Sequence, residues 1–503
     1  MIDRQDQART VRRHRPRASV SRRGLTGAAV GAAGLAAIGG AVRPWPRLAV
    51  ARSMPLKAAA DDVAAAALVD GATVFVEPEV RTSVDGVLDT TLSAQPDLDQ
   101  RPGRVSYEGM VPGPTLRARP GETMRVRLDN GLGGQITNLH THGLHVSPSG
   151  NSDNVFVHVE PGESFQYEFV IPENHASGLY WYHPHHHGNS MQQVAGGMAG
   201  AIIIDGELIE VAGIAGLRER LLFLQGPFFG DDGIEYFVNG VQNPAIAMRP
   251  GERQWWRIAN ANANGYYLLS LSGRDLDIIS LDGNPLPVPR REDTILLGPG
   301  ERVGVLVEAG DPGQYQLRSL AWGDGAQQQD EFLLATAVVM GEPAAASPLP
   351  QTVLPLEDLT GAVIDQQRTI SFEINSTDPY YTVNGQAFDP DRVDQVVQLG
   401  STEEWLIRNE SDEWHPFHIH VNDFQLMAVS GEPQPLQYHD TVSLPPRGEI
   451  VIHLRFLDFT GKFVYHCHIL AHEDFGMMAV IEVVDGVEAA TPVAASSLVE
   501  APG

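Results

Sequence analysis

The chain repeats itself three times at a spacing the size of a domain, which restricts its fold more tightly than any other feature. "RPGETMRVRLDN" from Arg119, "RPGERQWWRIAN" from Arg249 and "QLGSTEEWLIRN" from Gln398 align with one another. In each, a glycine and an asparagine stand nine residues apart: Gly121 and Asn130, Gly251 and Asn260, Gly400 and Asn409. A second segment recurs as "PGESFQYEFVI", "PGERVGVLVEA" and "RGEIVIHLRF", from Pro161, Pro299 and Arg447. A third recurs as "SGLYWYHPHH", "PGQYQLRSLA" and "TGKFVYHCHI", anchored on Gly178, Gly313 and Gly461. The period is too long for a solenoid, whose repeats run to some 20–50 residues.

Within the copies, apolar residues alternate with polar ones, as half-buried strands require. Met124, Val126 and Leu128 would face inward while Arg125 and Arg127 face water. With 51 Gly and 35 Pro to make turns, this pattern favours short strands over long helices. We therefore expect an all-β protein of three β-sandwiches, at roughly residues 70–208, 215–345 and 365–487. The Pro/Ala-rich "EPAAASPLPQTVLP" would be the second linker.

Residues 1–57 differ in kind, with 12 Arg and Lys against 2 Asp. Paired Arg22 and Arg23 in "SRRGLT" precede the Gly/Ala-rich "GAAVGAAGLAAIGGAV". That order has the form of a twin-arginine export signal, so the mature protein is expected in the periplasm or outside the cell. The run is too short and too weakly apolar for stable membrane insertion. Without the leader, 23 basic and 61 acidic residues remain, and the formal charge moves from −28 to −38. So acidic a surface argues against a nucleic-acid partner. The single cysteine, Cys467, cannot form an intramolecular disulfide and is free for other chemistry.

Aligning the copies also separates them chemically. Five residues after the anchoring glycine, the first has His183-Pro184-His185 and the third His466-Cys467-His468, whereas the middle one has Arg318-Ser319-Leu320. The middle domain then reads as a spacer that lets the outer two face each other. Four motifs hold ten of the 18 histidines: His140 and His142; His183 and His185; His415, His418 and His420; His466, His468 and His472. Imidazoles two apart on a strand point to one side, so each His-x-His offers a pair of ligands to one metal cluster. His415, Cys467, His472 and Met477 supply two imidazoles, a thiolate and a weak thioether, the ligand set of a blue-copper electron-transfer centre. In an extended segment Cys467 points opposite to His466 and His468. One tripeptide can thus reach metal on both sides, over a distance on the order of 10 Å.

These motifs, their order and the threefold repeat resemble the multicopper oxidases of the bacterial, laccase-like type, over roughly residues 70–487. The resemblance implies cupredoxin-like Greek-key domains and four coppers that couple one-electron oxidation of a small-molecule donor to four-electron reduction of dioxygen to water. It implies a type 2 copper on His140 and His418, one type 3 copper on His142, His183 and His468, and the other on His185, His420 and His466. The type 1 copper would take His415, Cys467, His472 and Met477. No ligand position is missing, which separates this chain from relatives that have lost copper and act as binding proteins. Three domains with both ligand halves in one chain also separate it from two-domain copper nitrite reductases.

Reducing dioxygen to water consumes four protons, and a carboxylate near the cluster can deliver them. Glu473, beside His472, and Asp153, in "SGNSDNVF", resemble the acidic positions linked to proton delivery in this family. His415 is expected to be the ligand through which electrons enter, with Glu410, Asp412 and Glu413 nearby to attract aromatic amines and phenols. No methionine-rich insert of the kind that recruits cuprous ions accompanies domain three, so cuprous and ferrous donors are the alternative. His186 and His187 break the alternation of the His183/His185 pair and are not expected to be ligands. His14, His145, His158, His175, His439 and His453 are expected to be leader, surface or satisfied core residues.

Overall fold

The computed structural model describes residues 59–96, 104–230, 233–323 and 325–486, so the leader with its arginine pair lies outside them. The architecture is all-β: six sheets stacked in pairs as three sandwiches. The repeated Gly-to-Asn segment is a strand in every copy, Thr123–Asn130, Arg253–Asn260 and Thr402–Asn409. Each pairs parallel with a strand before it and antiparallel with the second repeated segment, in matching register: Thr123 opposite Val170, Arg253 opposite Glu308, Thr402 opposite Arg455. Met124, Val126 and Leu128 are buried while Arg125 and Arg127 are exposed, as alternation demands.

The repeated asparagine latches the loop that follows it. Asn130 Nδ2 donates to the carbonyls of Gln135 and Val159, Asn260 Nδ2 to those of Gly265 and Leu297, and Asn409 Nδ2 to those of Glu413 and Pro445. In the outer copies that loop leads directly into His140 and His415. The same short amide therefore fixes the start of a histidine strand twice.

Each sandwich closes over its own core. Leu92, Val126 and Ile202 serve the first, Trp256, Val305 and Leu334 the middle, and Trp405, Ile452 and Ile481 the third. Truncating one such side chain, Trp405→Ala for instance, costs about 3–5 kcal/mol. Ahead of the first sandwich, helix Ala60–Ala66 docks on the middle one: Asp62 accepts from both terminal nitrogens of Arg220, at 3.0 and 2.7 Å, and from the Ala247 N–H. Among the described residues no helix is long and apolar enough to cross a membrane.

Candidate metal centre

Strand pairing sorts the histidines. His415–Ile419 lies antiparallel to Gly461–Cys467, with Phe417 opposite Cys467 and His418 opposite His466. Paired residues share a face, so His415, two before Phe417, falls on the Cys467 side. His418 and His420, at odd spacing from His415, fall on the other side with His466. Helix Leu470–Asp474 then returns His472 to Cys467.

The result is a compact three-atom cradle inside the third sandwich. Cys467 Sγ lies 3.4 Å from His415 Nδ1 and 3.7 Å from His472 Nδ1, and the two nitrogens are 3.2 Å apart. Met477 is fully buried in the same core, and its carbonyl accepts the Cys467 N–H. Burial pushes the Cys467 thiol well above its usual range and holds His415 well below; His472 falls to about 3. A thiolate here needs a cation beside it, which a metal ion provides.

The other eight histidines meet between the first and third sandwiches. His140–His142 pairs with Gly178–His183, which sets His140 opposite His183. His142 Nδ1 faces His468 Nε2 at 3.1 Å; His466 Nε2 faces His185 Nε2 at 3.1 Å and His420 Nε2 at 3.2 Å. Five rings are pinned from behind through the nitrogen that points away from the centre. His140 Nδ1 sits 3.0 Å from both Asp153 oxygens, and His142 Nε2 3.1 Å from Asp440 Oδ1. The Nδ1 atoms of His183, His418 and His466 meet the carbonyls of Pro184, Asp440 and Cys467. Donating outward leaves the inner nitrogen a bare lone pair, the arrangement of a metal-binding imidazole. The inner Nε2 atoms of His140, His183 and His418 are indeed buried without any hydrogen-bond partner.

Electrostatics agrees with this. Burial lowers the pKa of all eight, His183 to about 4, so the rings stay neutral and free to coordinate. Several sets of three donor atoms lie within 4.8 Å of one another, among them His140/His142/His183, His185/His420/His466 and His415/Cys467/His472. Converging unpaired nitrogens repel one another until a cation sits between them. The residues present fit metal.

Both candidate carboxylates are buried beside the cluster. Burial pushes Asp153, against His140, up to about 7. Burial, reinforced by the charge of Asp474, holds Glu473 well above the usual carboxylate range; its Oε1 accepts the Ser190 hydroxyl and lies 3.7 Å from His185 Nδ1. His186 and His187 stay outside the cluster, against His158 and Phe388. His145, His175, His439 and His453 each have hydrogen-bond partners elsewhere.

Two expectations need correction. His415 is not the open ligand: it is 0% exposed and its Nε2 is capped by the buried Ser411 hydroxyl at 2.7 Å. His472, 6% exposed, turns its Nε2 toward the half-buried Glu413 carboxylate at 3.7 Å and stacks on Tyr381. Nor is the middle domain only a spacer, because its Arg302 forks onto Asp440 at 2.7 and 2.5 Å directly behind His142. Ser411, Asp440, Thr441 and Arg302 escaped the sequence reading. One signal existed: after "PGE" or "RGE", the copies carry Ser164, Arg302 and Ile450, and an arginine at the inward start of a strand is conspicuous.

Three stacked sandwiches with a cysteine-bearing cradle and an interdomain histidine cluster define a cupredoxin-type redox protein. The chain belongs to the multicopper oxidase family, whose models match residues 91–208, 179–341 and 360–487, and it is an oxidoreductase whose family metal is copper. It is 27% identical over 405 residues to multicopper oxidase mco of Staphylococcus haemolyticus, covering 75% of this chain and 83% of that one. It is 27% identical over 474 residues to a laccase of Haloferax volcanii, covering 78% and 79%. With the cell division protein FtsP of Dickeya dadantii it shares 25% over 408 residues, covering 74% and 84%. Among solved structures, a multicopper oxidase from Campylobacter jejuni described as a metallo-oxidase superimposes with a TM-score of 0.71 at 25% identity, over 82% of this chain and 96% of that one.

Proposed function

We propose that the chain is a laccase-type oxidase, taking single electrons from phenolic or aromatic-amine donors and passing them to dioxygen. Its four coppers are one type 1 ion in the Cys467 cradle with Met477, one type 2 ion on His140 and His418, and two type 3 ions. The type 3 ions take His142, His183 and His468, and His185, His420 and His466. The observation that carries this reading is the His466-Cys467-His468 tripeptide, whose cysteine joins one donor group while its histidines join the other. Copper in these places supplies one-electron uptake at the cradle and four-electron reduction of dioxygen to water at the cluster.

The chain's own residues handle protons and orientation. At the cradle, Glu413 accepts the proton that a phenol or aromatic amine releases as it loses its electron; burial raises this carboxylate's pKa and makes it the better base. Tyr381 holds the His472 ring by stacking at 4.4 Å, and half-buried Trp414, which precedes His415 in the chain, packs with Trp322 at 5.5 Å. At the cluster, burial favours the protonated form of Glu473, which hands its proton toward dioxygen, with the Ser190 hydroxyl fixing its orientation. Asp153 holds His140 and is a second proton source.

A metallo-oxidase reading is favoured by likeness to the Campylobacter jejuni enzyme and by exposed Glu410 near the cradle, which would attract cations, whereas Asp412 is already paired with Arg447 at 2.8 Å. Steady-state oxidation of a phenol, a cuprous complex and a ferrous salt separates the two. Phenolic kcat/KM should be the highest; a tenfold preference for cuprous ion, about 1.4 kcal/mol in transition-state binding, would make the protein a metallo-oxidase. We also assign export to the twin-arginine pathway. Changing Arg22 and Arg23 to Lys should retain the protein in the cytoplasm, and unchanged export would show that the pair is not read.

A further inference from the structure

Behind the histidine cluster, one guanidinium touches all three sandwiches. Arg302 opens the middle-domain strand Arg302–Glu308 and is 1% exposed. Its two terminal nitrogens fork onto Asp440 of the third sandwich, its Nε donates to the Leu179 carbonyl of the first at 3.2 Å, and Asp282 of its own domain lies 3.5 Å away. A planar five-donor fork makes this geometry; an ammonium could not.

Asp440 transmits that grip to the rings. Its Oδ1 accepts from His142 Nε2 at 3.1 Å and from the Thr441 hydroxyl at 2.7 Å. Thr441 Oγ1 lies 3.0 Å from His142 Nε2 and 3.0 Å from His418 Nδ1. One Asp-Thr pair thus sets the tautomer of a ring from the first domain and braces one from the third.

Two glycines make the approach possible. Gly300, just before Arg302, lies against the cluster, where a Cβ would come within 3.0 Å of both the His142 and His468 rings. Gly143, in "HTHG", leaves the space that Asp440 and Arg302 fill, since a Cβ there would collide with both. Both have φ in the left-handed region, +90° and +84°, where glycine is unstrained.

We propose that the middle domain, which supplies no ligand, is nonetheless a working part of the histidine cluster. Arg302 is a positioning residue: through Asp440 and Thr441 it orients His142 and His418, so the cluster holds its metal firmly only when all three domains are docked. The Cys467 cradle lies within one domain and is independent of it. This rests on the reading of the eight histidines as a copper cluster.

The test compares full-length copper-loaded wild type with Arg302→Lys, which keeps the charge but loses the fork, and Thr441→Val, which keeps the shape but loses the hydroxyl. Arg253→Lys, another buried middle-domain arginine far from the cluster, is the control. Copper per chain, blue absorption and the EPR signal of the non-blue copper are followed during titration with a chelator. Outer hydrogen-bond partners of metal-binding histidines typically govern 10- to 100-fold in affinity. Both test variants should keep full blue colour yet lose cluster copper at tenfold lower chelator or less, with an altered non-blue EPR signal, while the control matches wild type. Parallel loss of blue and non-blue copper would reduce Arg302 to general stability and overturn the proposal, as would variants indistinguishable from a fully loaded wild type. A wild type that binds copper only in the cradle would overturn the cluster reading itself.

Discussion

The Cys467 cradle and the histidine cluster both rest on buried imidazoles, with a thiol and a thioether added in the cradle alone, but they are assembled by different means. The cradle draws His415, Cys467, His472 and Met477 from one sandwich, on two paired strands, the short helix that follows and the turn just beyond it. The cluster draws His140, His142, His183 and His185 from the first sandwich and four histidines from the third, with Arg302 of the middle one bracing the join. A site built within one fold forms when that fold forms. A site built between folds depends on docking as well, so the two should respond differently to almost any perturbation.

The largest difference is expected from Glu473→Gln, which removes an acidic proton at nearly constant shape from a carboxyl that faces His185 of the cluster. Loss of a positioned general acid costs about 10²–10⁴-fold. Reoxidation of the reduced enzyme by dioxygen should slow by that order, while anaerobic bleaching of the blue colour by donor proceeds at the wild-type rate. Equal slowing of both steps would make the carboxyl a structural group.

Docking itself should be pH-sensitive. Glu301 of the middle sandwich accepts the Ser443 hydroxyl of the third, and burial, helped by the charge of Asp282, pushes it up to about 7 from an ordinary 4.5. Between those values the folded protein holds a proton that the unfolded chain has released. The Glu301 contribution to stability therefore falls as pH rises through this window and levels off above it, by about 3 kcal/mol in all. The buried neutral histidines act in the opposite sense and equally in wild type and Glu301→Gln, so the difference in thermal stability between these two copper-free proteins isolates Glu301: it should shift against wild type between pH 5 and pH 8, and a difference that does not change with pH would move the effect to another group.

Ser411→Ala is expected to act least, and only on the cradle. It strips the hydrogen bond from His415 Nε2, at a cost of about 1–2 kcal/mol. The blue band and the reduction potential should shift while cluster copper stays bound. A change in cluster copper would break the independence of the two sites.

What the sequence revealed and what it hid divides along the same line. Strands announced themselves through alternation, as in Met124, Val126 and Leu128, and through the threefold recurrence of Asn130, Asn260 and Asn409. The donors announced themselves because few residue types bind metal and they came in repeat register. The side of Cys467 on which each histidine of "HPFHIH" falls follows from odd and even spacing along one strand. By contrast, Asp440 reaches His142 from 298 positions away and Arg302 reaches Asp440 from 138; only docking brings them together, and no local periodicity encodes docking. Which ring edge is open likewise depends on the covering chain, so Ser411 over His415 and Glu413 beside His472 had to be seen.

The most direct test of two linked but separately built sites is copper counting with absorption spectroscopy on wild type and Cys467→Ser. Wild type should be blue with about four coppers per chain, and Cys467→Ser colourless with about three, its non-blue copper intact. A colourless wild type with full copper, or a Cys467→Ser protein that loses the cluster copper along with the blue, would contradict it.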